Sequence, residues 1–132
     1  MKKKILIVIA DFYPVISKEL LRSAQNELKN FTKVRVIKVP GSFEIPITIS
    51  KNIKKFDGFL ALGCVIKGET PHFEYISRTI IDAIMNISLK YNKPIGNGVL
   101  TCLTSKQAMK RAFNKKKGKE AAKALISVLS QK

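Results

Sequence analysis

The sequence contains no tryptophan, a single histidine and two cysteines, and it has 9 acidic against 25 basic residues. Cys64 and Cys102 lie in apolar segments without CxxC spacing, which predicts buried thiols and disfavours a disulfide framework. One histidine and scattered carboxylates do not supply three or four metal ligands at a recognisable spacing, so no metal site is expected. The glycines form neither a Walker loop nor a dinucleotide fingerprint.

Long apolar runs are also missing, since none approaches the roughly 20 residues of a membrane-spanning helix. The apolar stretch after Lys4 is short and no small-residue cleavage site follows it. It therefore predicts a first strand rather than a signal peptide. Together with the cysteine pattern, this indicates a cytoplasmic protein with no membrane partner.

The sequence has enough apolar residues for one folded domain. Its 132 residues match the roughly 100–150 of a typical domain, and 45% of them are apolar, which excludes a disordered chain. No internal repeat, linker or change of composition divides the sequence. Residues 1–132 are therefore predicted to form a single domain.

The formal net charge of +16 is distributed unevenly along the chain. Residues 83–132 carry 11 basic side chains and 1 acidic one, and the densest cluster lies at 110–119. Such clusters occur in nucleic-acid interfaces, because lysines release counterions from phosphate backbones. A solvated, lysine-rich surface explains most of these charges better, since Phe113 is the only aromatic residue in the cluster. A third interpretation is that one or two of the cations hold a small phosphorylated substrate.

Apolar patterns typical of buried strands alternate with helical patterns along the chain. Strands are predicted at 5–9, at 34–39, at 59–66 and within 94–102. Helices are predicted at about 14–30, 42–53, 70–91, 105–113 and 118–130.

Hydroxyl residues are predicted to cap three of the helices. Ser42 and Ser105 each precede a helical pattern, and Thr70 precedes Pro71, which suits the first helical position. Gly118 is predicted to end the helix that follows Ser105.

Strands that alternate with helices predict right-handed crossovers and a parallel sheet covered on both faces. We therefore expect an α/β fold, a flavodoxin-like three-layer αβα sandwich with a four-stranded parallel sheet. In such sheets, ligands bind beyond the carboxyl ends of the strands. The segments at these ends are 11–13, 40–44, 67–72 and 101–105.

The exit of the third strand combines features of an anion site with a proton-transfer group. Gly68 and Thr70 precede the start of a helix, where free backbone N–H groups attract anions. His72 lies in the first turn of that helix. Histidine readily gains and loses a proton near neutral pH, so His72 is the best candidate for a general acid or base. An ordinary exposed histidine is the alternative.

The exit of the second strand has the most specific string, 40–46, in which two prolines and a glycine restrict the backbone. Phe43 and Glu44 project from it, and a carboxylate there can accept hydrogen bonds from a polyol. Phe43 could also be packing, and Glu44 could simply favour a helix N-terminus. Phe12, after the first strand, either stacks on a flat heteroaromatic ring or belongs to the core.

Two of these segments resemble a known enzyme family. Residues 39–46 read VPGSFEIP, and residues 61–75 read ALGCVIKGETPHFEY. Both strings resemble the 6,7-dimethyl-8-ribityllumazine synthases of riboflavin biosynthesis, as do shorter strings at 98–101, 107–112 and 117–122. The resemblance implies condensation of 5-amino-6-(D-ribitylamino)uracil with 3,4-dihydroxy-2-butanone 4-phosphate. It implies no metal, flavin or nicotinamide cofactor.

Carried over by position, the resemblance assigns one group of residues to the uracil substrate. Phe12 stacks on the pyrimidine ring, and the backbone of the third strand contacts that ring at Val65 and Ile66. The ring edge and the ribityl chain are held by Ser42, Phe43 and Glu44.

A second group is assigned by the same resemblance to the phosphorylated substrate and to proton transfer. Arg111 binds the phosphate, which suits the geometry of a guanidinium group. Glu69 and Thr70 line the phosphate end, Lys117 lies near it, and His72 shuttles protons.

The resemblance also implies a homo-oligomer in which active sites lie between neighbouring subunits of a pentamer. Residues 96–98 and Arg111 then come from one chain and the other site residues from its neighbour. Asn97 stands where many members have an aromatic residue, so stacking from the neighbouring chain is not carried over, and a polar contact could take its place. The chain begins almost at its first strand, whereas members that build sixty-subunit shells usually carry a longer extension. A pentamer or decamer is therefore expected.

Two other functions remain to be distinguished from this enzyme. A basic nucleic-acid-binding module would need neither Phe43 nor His72 for binding. A flavodoxin-like flavin binder would retain flavin tightly and form no new lumazine chromophore. The expectation is the enzyme, with small-molecule substrates and no nucleic-acid partner.

Overall fold

Four apolar runs form a parallel sheet in the computed structural model, which describes residues 2–131. The strands are β1 (Lys4–Ala10), β2 (Lys33–Val39), β3 (Gly58–Ile66) and β4 (Ile95–Cys102). Their order in the sheet is β2-β1-β3-β4, so β2 and β4 are the edges. This confirms the predicted four-stranded parallel sheet. The predicted domain includes Met1 and Lys132, which lie outside the described residues.

Helices cover both faces of the sheet and complete a three-layer sandwich. They are α1 (Pro14–Glu27), α2 (Ile45–Lys51), α3 (His72–Tyr91), α4 (Ser105–Met109) and α5 (Lys117–Leu129). A 3-10 turn at Ser42–Glu44 precedes α2, and a π-helical segment at Lys110–Asn114 joins α4 to α5. Among residues 2–131, no helix combines the length and apolar character needed to cross a bilayer.

Alternation along each strand divides the core into two parts. Ile5, Ile7 and Ile9 of β1 pack on one face with the helices α1 and α5, while Leu6 and Val8 pack on the other with α2 and α3. All five side chains are 1% exposed or less. Because both faces are buried, β1 reads as a continuous apolar run rather than as an alternating one.

The predicted capping role of Ser42 is wrong. Gly41 occupies the cap position of the 3-10 turn, and Ser42 is the first residue of that turn. The Ser42 hydroxyl is buried and makes no hydrogen bond within residues 2–131. It packs against Gly63 of β3, where an added Cβ would lie 2.6 Å from the Ser42 Oγ.

The two other predicted caps are each misplaced by one residue. Pro71 holds the cap position of α3, and the Thr70 hydroxyl accepts a long hydrogen bond of 3.4 Å from the His72 backbone N–H. Thr104, rather than Ser105, caps α4, because its hydroxyl accepts from the backbone N–H of Gln107 at 3.1 Å. In both cases a threonine hydroxyl, that of Thr70 or Thr104, accepts a backbone hydrogen bond at the predicted start of the helix.

Gly118 does not end a helix, which corrects its predicted role. It lies inside α5, and the chain turns instead at Lys116, which has a left-handed φ of 48°. Gly118 is required for packing, since an added Cβ would lie 2.2 Å from the backbone oxygen of Leu20 in α1. This close approach lets α1 and α5 lie side by side on one face of the sheet.

Replacing Gly118 with alanine is expected to lower the free energy of unfolding by about 1–3 kcal/mol, because one of two packed backbones must move. Gly68→Ala is the matched control, since a Cβ added there has no atom within 4 Å from the described part of the chain apart from Gly68 and its two chain neighbours. Urea unfolding followed by circular dichroism measures both. Equal midpoints for the two variants would contradict the close packing described for α1 and α5.

Candidate active site

The carboxyl ends of the four parallel strands meet at one edge of the sheet, and most predicted site residues lie there. Two exposed aromatic rings mark this edge. Phe12 follows β1 and is 64% exposed, and Phe43 follows β2 and is 57% exposed. Phe12 therefore does not belong to the core, and its ring meets that of Tyr13 edge to face at 4.9 Å. Both rings are therefore accessible to a ligand or to another chain at this edge.

The turn after β2 holds the Glu44 carboxylate close to the backbone. A Cβ added at Gly41 would lie 3.2 Å from the Glu44 Oε1, so glycine makes room for this carboxylate. Phe43 and Glu44 line a groove of about 340 Å³ that extends between α2 and α3 to Thr79. Ser42, by contrast, directs its buried hydroxyl toward the sheet and away from the surface.

The exit of β3 becomes progressively more open. Val65 and Ile66 are half-buried, whereas Glu69 and Thr70 are exposed. His72 opens α3 and is exposed, and its imidazole makes no hydrogen bond within residues 2–131. The ring is thus accessible to a bound substrate at the carboxyl edge.

A second set of site residues lies along the free edge of β4. A cavity of about 270 Å³ lies between this strand, the π-helical segment and the start of α5. Its lining includes the polar and charged side chains of Asn97, Thr101, Arg111, Lys117 and Glu120. Three of these were predicted as substrate-binding residues. The cavity therefore collects Asn97, Arg111 and Lys117, and its lining includes none of the residues at the β1, β2 and β3 exits.

Hydrogen bonds orient two of the cavity's side chains. The Asn97 Oδ1 accepts from the Val99 backbone N–H at 3.0 Å, which uses one of the two acceptor sites of the amide oxygen. The Arg111 Nη1 donates to the Gln107 backbone oxygen at 3.4 Å. Arg111 makes no ion pair within the described part of the chain, whereas the Lys117 Nζ pairs with the Glu120 Oε2 at 3.1 Å.

Thr101 and Glu120 were not predicted as site residues. Glu120 had a detectable signal, because an acidic residue three positions after a lysine forms a pair on one helix face. Thr101 lies at the end of β4, one of the four strand ends where a ligand was expected. The sequence did not indicate that its exposed side chain lines the cavity.

The two thiols are poorly suited to nucleophilic chemistry. Burial raises the pKa of the Cys64 thiol from its usual 9.0 to about 12, and the neighbouring Cys102 adds to the shift. Burial also raises the pKa of Cys102, and the positive charge of Arg111 partly offsets that effect. Both thiols therefore stay protonated near neutral pH, and the thiolate is the nucleophilic form. Both are free, as the sequence predicts.

The doubly wound parallel sheet, with polar groups at its carboxyl edge, defines an α/β protein of the class that binds small ligands beyond its strand ends. Residues 2–132 match the family model of 6,7-dimethyl-8-ribityllumazine synthase. The chain therefore belongs to the 6,7-dimethyl-8-ribityllumazine synthase family.

Individual relatives agree with this family assignment. The chain is 42% identical to a 6,7-dimethyl-8-ribityllumazine synthase of Lactiplantibacillus plantarum, with 96% of this chain and 84% of the relative covered. It is 41% identical to that of Bartonella tribocorum, with 100% and 93% covered. It is 38% identical to that of Aliarcobacter butzleri, with 96% and 85% covered. The similarity thus extends over nearly the whole chain.

Proposed function

We propose that the chain condenses 5-amino-6-(D-ribitylamino)uracil with 3,4-dihydroxy-2-butanone 4-phosphate to form 6,7-dimethyl-8-ribityllumazine, phosphate and water. Membership of the synthase family supports this reaction. In the sequence of steps, the amine attacks the ketone and water leaves to form an imine. Phosphate is then eliminated, the ring closes, and a second water is lost. We also propose that the reaction takes place in the cytoplasm.

The cavity at the β4 edge is the observation that carries the proposal, because it provides a place for the phosphate group. Arg111 and Lys117 both line it, and the Arg111 guanidinium has no carboxylate partner within residues 2–131. A guanidinium group presents parallel N–H donors that match two oxygens of a phosphate. Thr101 adds a hydroxyl to the same cavity. Arg111 therefore binds the phosphate, with Lys117 beside it.

The exposed groups at the β1, β2 and β3 exits suit the uracil substrate. Phe12 stacks on the pyrimidine ring, and Val65 and Ile66, at the end of β3, contact that ring through their backbone. Phe43 packs against the ring edge, and Glu44 accepts hydrogen bonds from the ribityl hydroxyls. The buried hydroxyl of Ser42 limits that residue to contacts through its backbone.

His72 supplies the proton transfers of the reaction. The attacking amine must lose protons as the imine forms, and the departing water must gain one. His72 is exposed at the carboxyl edge, close in sequence to Glu69 and Thr70, which line the phosphate end. This arrangement lets one imidazole act as acid and base in successive steps.

A complete site requires two copies of the chain. The cavity that holds Arg111 contains neither of the exposed aromatic rings nor His72. Further apolar side chains are exposed along α3, namely Tyr75, Ile81, Met85 and Leu89. A cyclic homo-oligomer buries such a stripe and brings the β4 edge of one subunit to the strand exits of its neighbour. A pentamer, alone or paired as a decamer, both buries the exposed side chains of α3 and joins the two halves of the site.

The test is to incubate the protein with both substrates and to follow absorbance and phosphate release together. The proposal predicts a new lumazine chromophore and one phosphate per product. Binding of nucleic acid with no product would indicate a basic binding module instead. Tight retention of flavin with no product would indicate a flavin carrier.

A further inference from the structure

The ion pair between Lys117 and Glu120 lies inside the cavity proposed for the phosphate. Both side chains line that cavity, together with Arg111. The Lys117 Nζ lies 3.1 Å from both carboxylate oxygens of Glu120, so the contact is bidentate. The cavity lining therefore includes an anionic side chain, and that side chain is bound to Lys117, one of the two cationic residues of the lining.

We infer that Glu120 is a resident counter-anion of Lys117 that an incoming phosphate must displace, so that Glu120 sets how tightly phosphate is held. This inference rests on the proposed phosphate-binding role of the cavity. Phosphate and the Glu120 carboxylate are both oxyanions, and they compete for the same ammonium N–H donors. Glu120 is thus a specificity-determining residue of the site.

Because the Lys117–Glu120 pair is exposed, phosphate can displace Glu120 from Lys117. The Glu120 side chain is 64% exposed and that of Lys117 is 33% exposed. An exposed ion pair between residues three positions apart contributes little free energy, so the released carboxylate is readily solvated. A phosphate dianion that also binds Arg111 has two cationic partners and therefore outcompetes one carboxylate.

Glu120 also limits how strongly the site attracts other anions. Arg111 and Lys117 contribute two positive charges and Glu120 one negative charge, which leaves a single excess positive charge among the side chains that line the cavity. A carboxylate ligand with one negative charge gains less electrostatic free energy from displacing Glu120 than a phosphate dianion does. The same competition weakens retention of the inorganic phosphate that the reaction releases.

The decisive experiment measures the Kd of inorganic phosphate for the assembled protein by isothermal titration calorimetry. Glu120→Gln is expected to tighten phosphate binding about 2- to 5-fold, since an exposed pair of this kind is typically worth a factor of that size. The gain should shrink as sodium chloride is added, because salt screens exposed charges. Glu27→Gln, at the end of α1 and outside the cavity, makes the same change in net charge and should leave the Kd unchanged.

Two further variants separate the possible outcomes. Glu120→Gln introduced into the Lys117→Gln variant should give no tighter phosphate binding than Lys117→Gln alone, because the cation for which Glu120 and phosphate compete is then absent. If Glu120→Gln does not fold, Glu120→Asp replaces it and should give a smaller gain in the same direction. A Kd for Glu120→Gln equal to or weaker than that of Glu27→Gln would overturn the inference. Failure of the proposed function looks different, because Arg111→Ala would then leave phosphate binding unchanged.

Discussion

Arg111→Ala raises the KM for 3,4-dihydroxy-2-butanone 4-phosphate about 10- to 150-fold while the KM for the uracil substrate changes little. A hydrogen bond to a charged group contributes about 1.5–3 kcal/mol, and each 1.4 kcal/mol corresponds to a factor of ten. Arg111 lines the β4-edge cavity and has no carboxylate partner within residues 2–131, so its donors are available to a phosphate. Steady-state kinetics with each substrate varied in turn measures both constants.

Two comparisons make the Arg111 result specific. Arg111→Lys keeps the charge but loses the two-pronged donor geometry, and it should give an intermediate KM. Arg35→Ala removes an exposed arginine from β2, at the opposite edge of the sheet, and should leave both KM values unchanged. A normal KM for the phosphorylated substrate in Arg111→Ala would remove Arg111 from the phosphate site.

His72→Ala lowers kcat by about 10- to 100-fold, with less than a 3-fold change in either KM. General acid–base groups typically contribute about 10²–10⁴ to rate. The expected effect lies at or below the lower limit of that range because water and the phosphate of the substrate can carry protons in place of the exposed imidazole. Single-turnover measurements of phosphate release and of chromophore formation show which step is slowed. A kcat within twofold of the original would exclude His72 from proton transfer.

The strands and the layers could be predicted from the sequence because burial determines them. β1 and β3 are continuous apolar runs, and a strand covered on both faces must be apolar at every position. The alternation of strands and helices then restricts the connections to parallel crossovers. The order β2-β1-β3-β4 agrees with the predicted flavodoxin-like arrangement.

Helix starts were less predictable because neighbouring hydroxyl residues compete for the same cap. Thr104 and Ser105 are adjacent, and either side chain can reach a free backbone N–H group. Thr104 takes this role, and Gln107 accepts in return from the Leu103 backbone N–H at 2.9 Å. Gly118 was misassigned for a different reason, since a glycine needed for helix packing and one that ends a helix look the same in a sequence.

The candidate site could be predicted only in part. Motif strings placed Phe43, Glu44 and His72 at the carboxyl edge, where the structure has them. The pairing of Lys117 with Glu120 depends on how α5 begins after the left-handed Lys116, which the sequence did not indicate. The two groups of predicted site residues also lie in different parts of one chain, and the proposal that a second copy completes the site goes beyond what one sequence indicates.

A mixing experiment tests the proposal of a shared site most directly. The assay uses 3,4-dihydroxy-2-butanone 4-phosphate well below its KM, where Arg111→Ala and His72→Ala subunits are each expected to keep about a tenth or less of the original rate. The two variants are co-assembled in equal amounts. If each site takes Arg111 from one chain and His72 from its neighbour, about one quarter of the sites in the mixed rings combine two intact halves, and activity returns to that level. Activity that stays at the level of the separate variants, in rings shown to be mixed, would contradict the shared site.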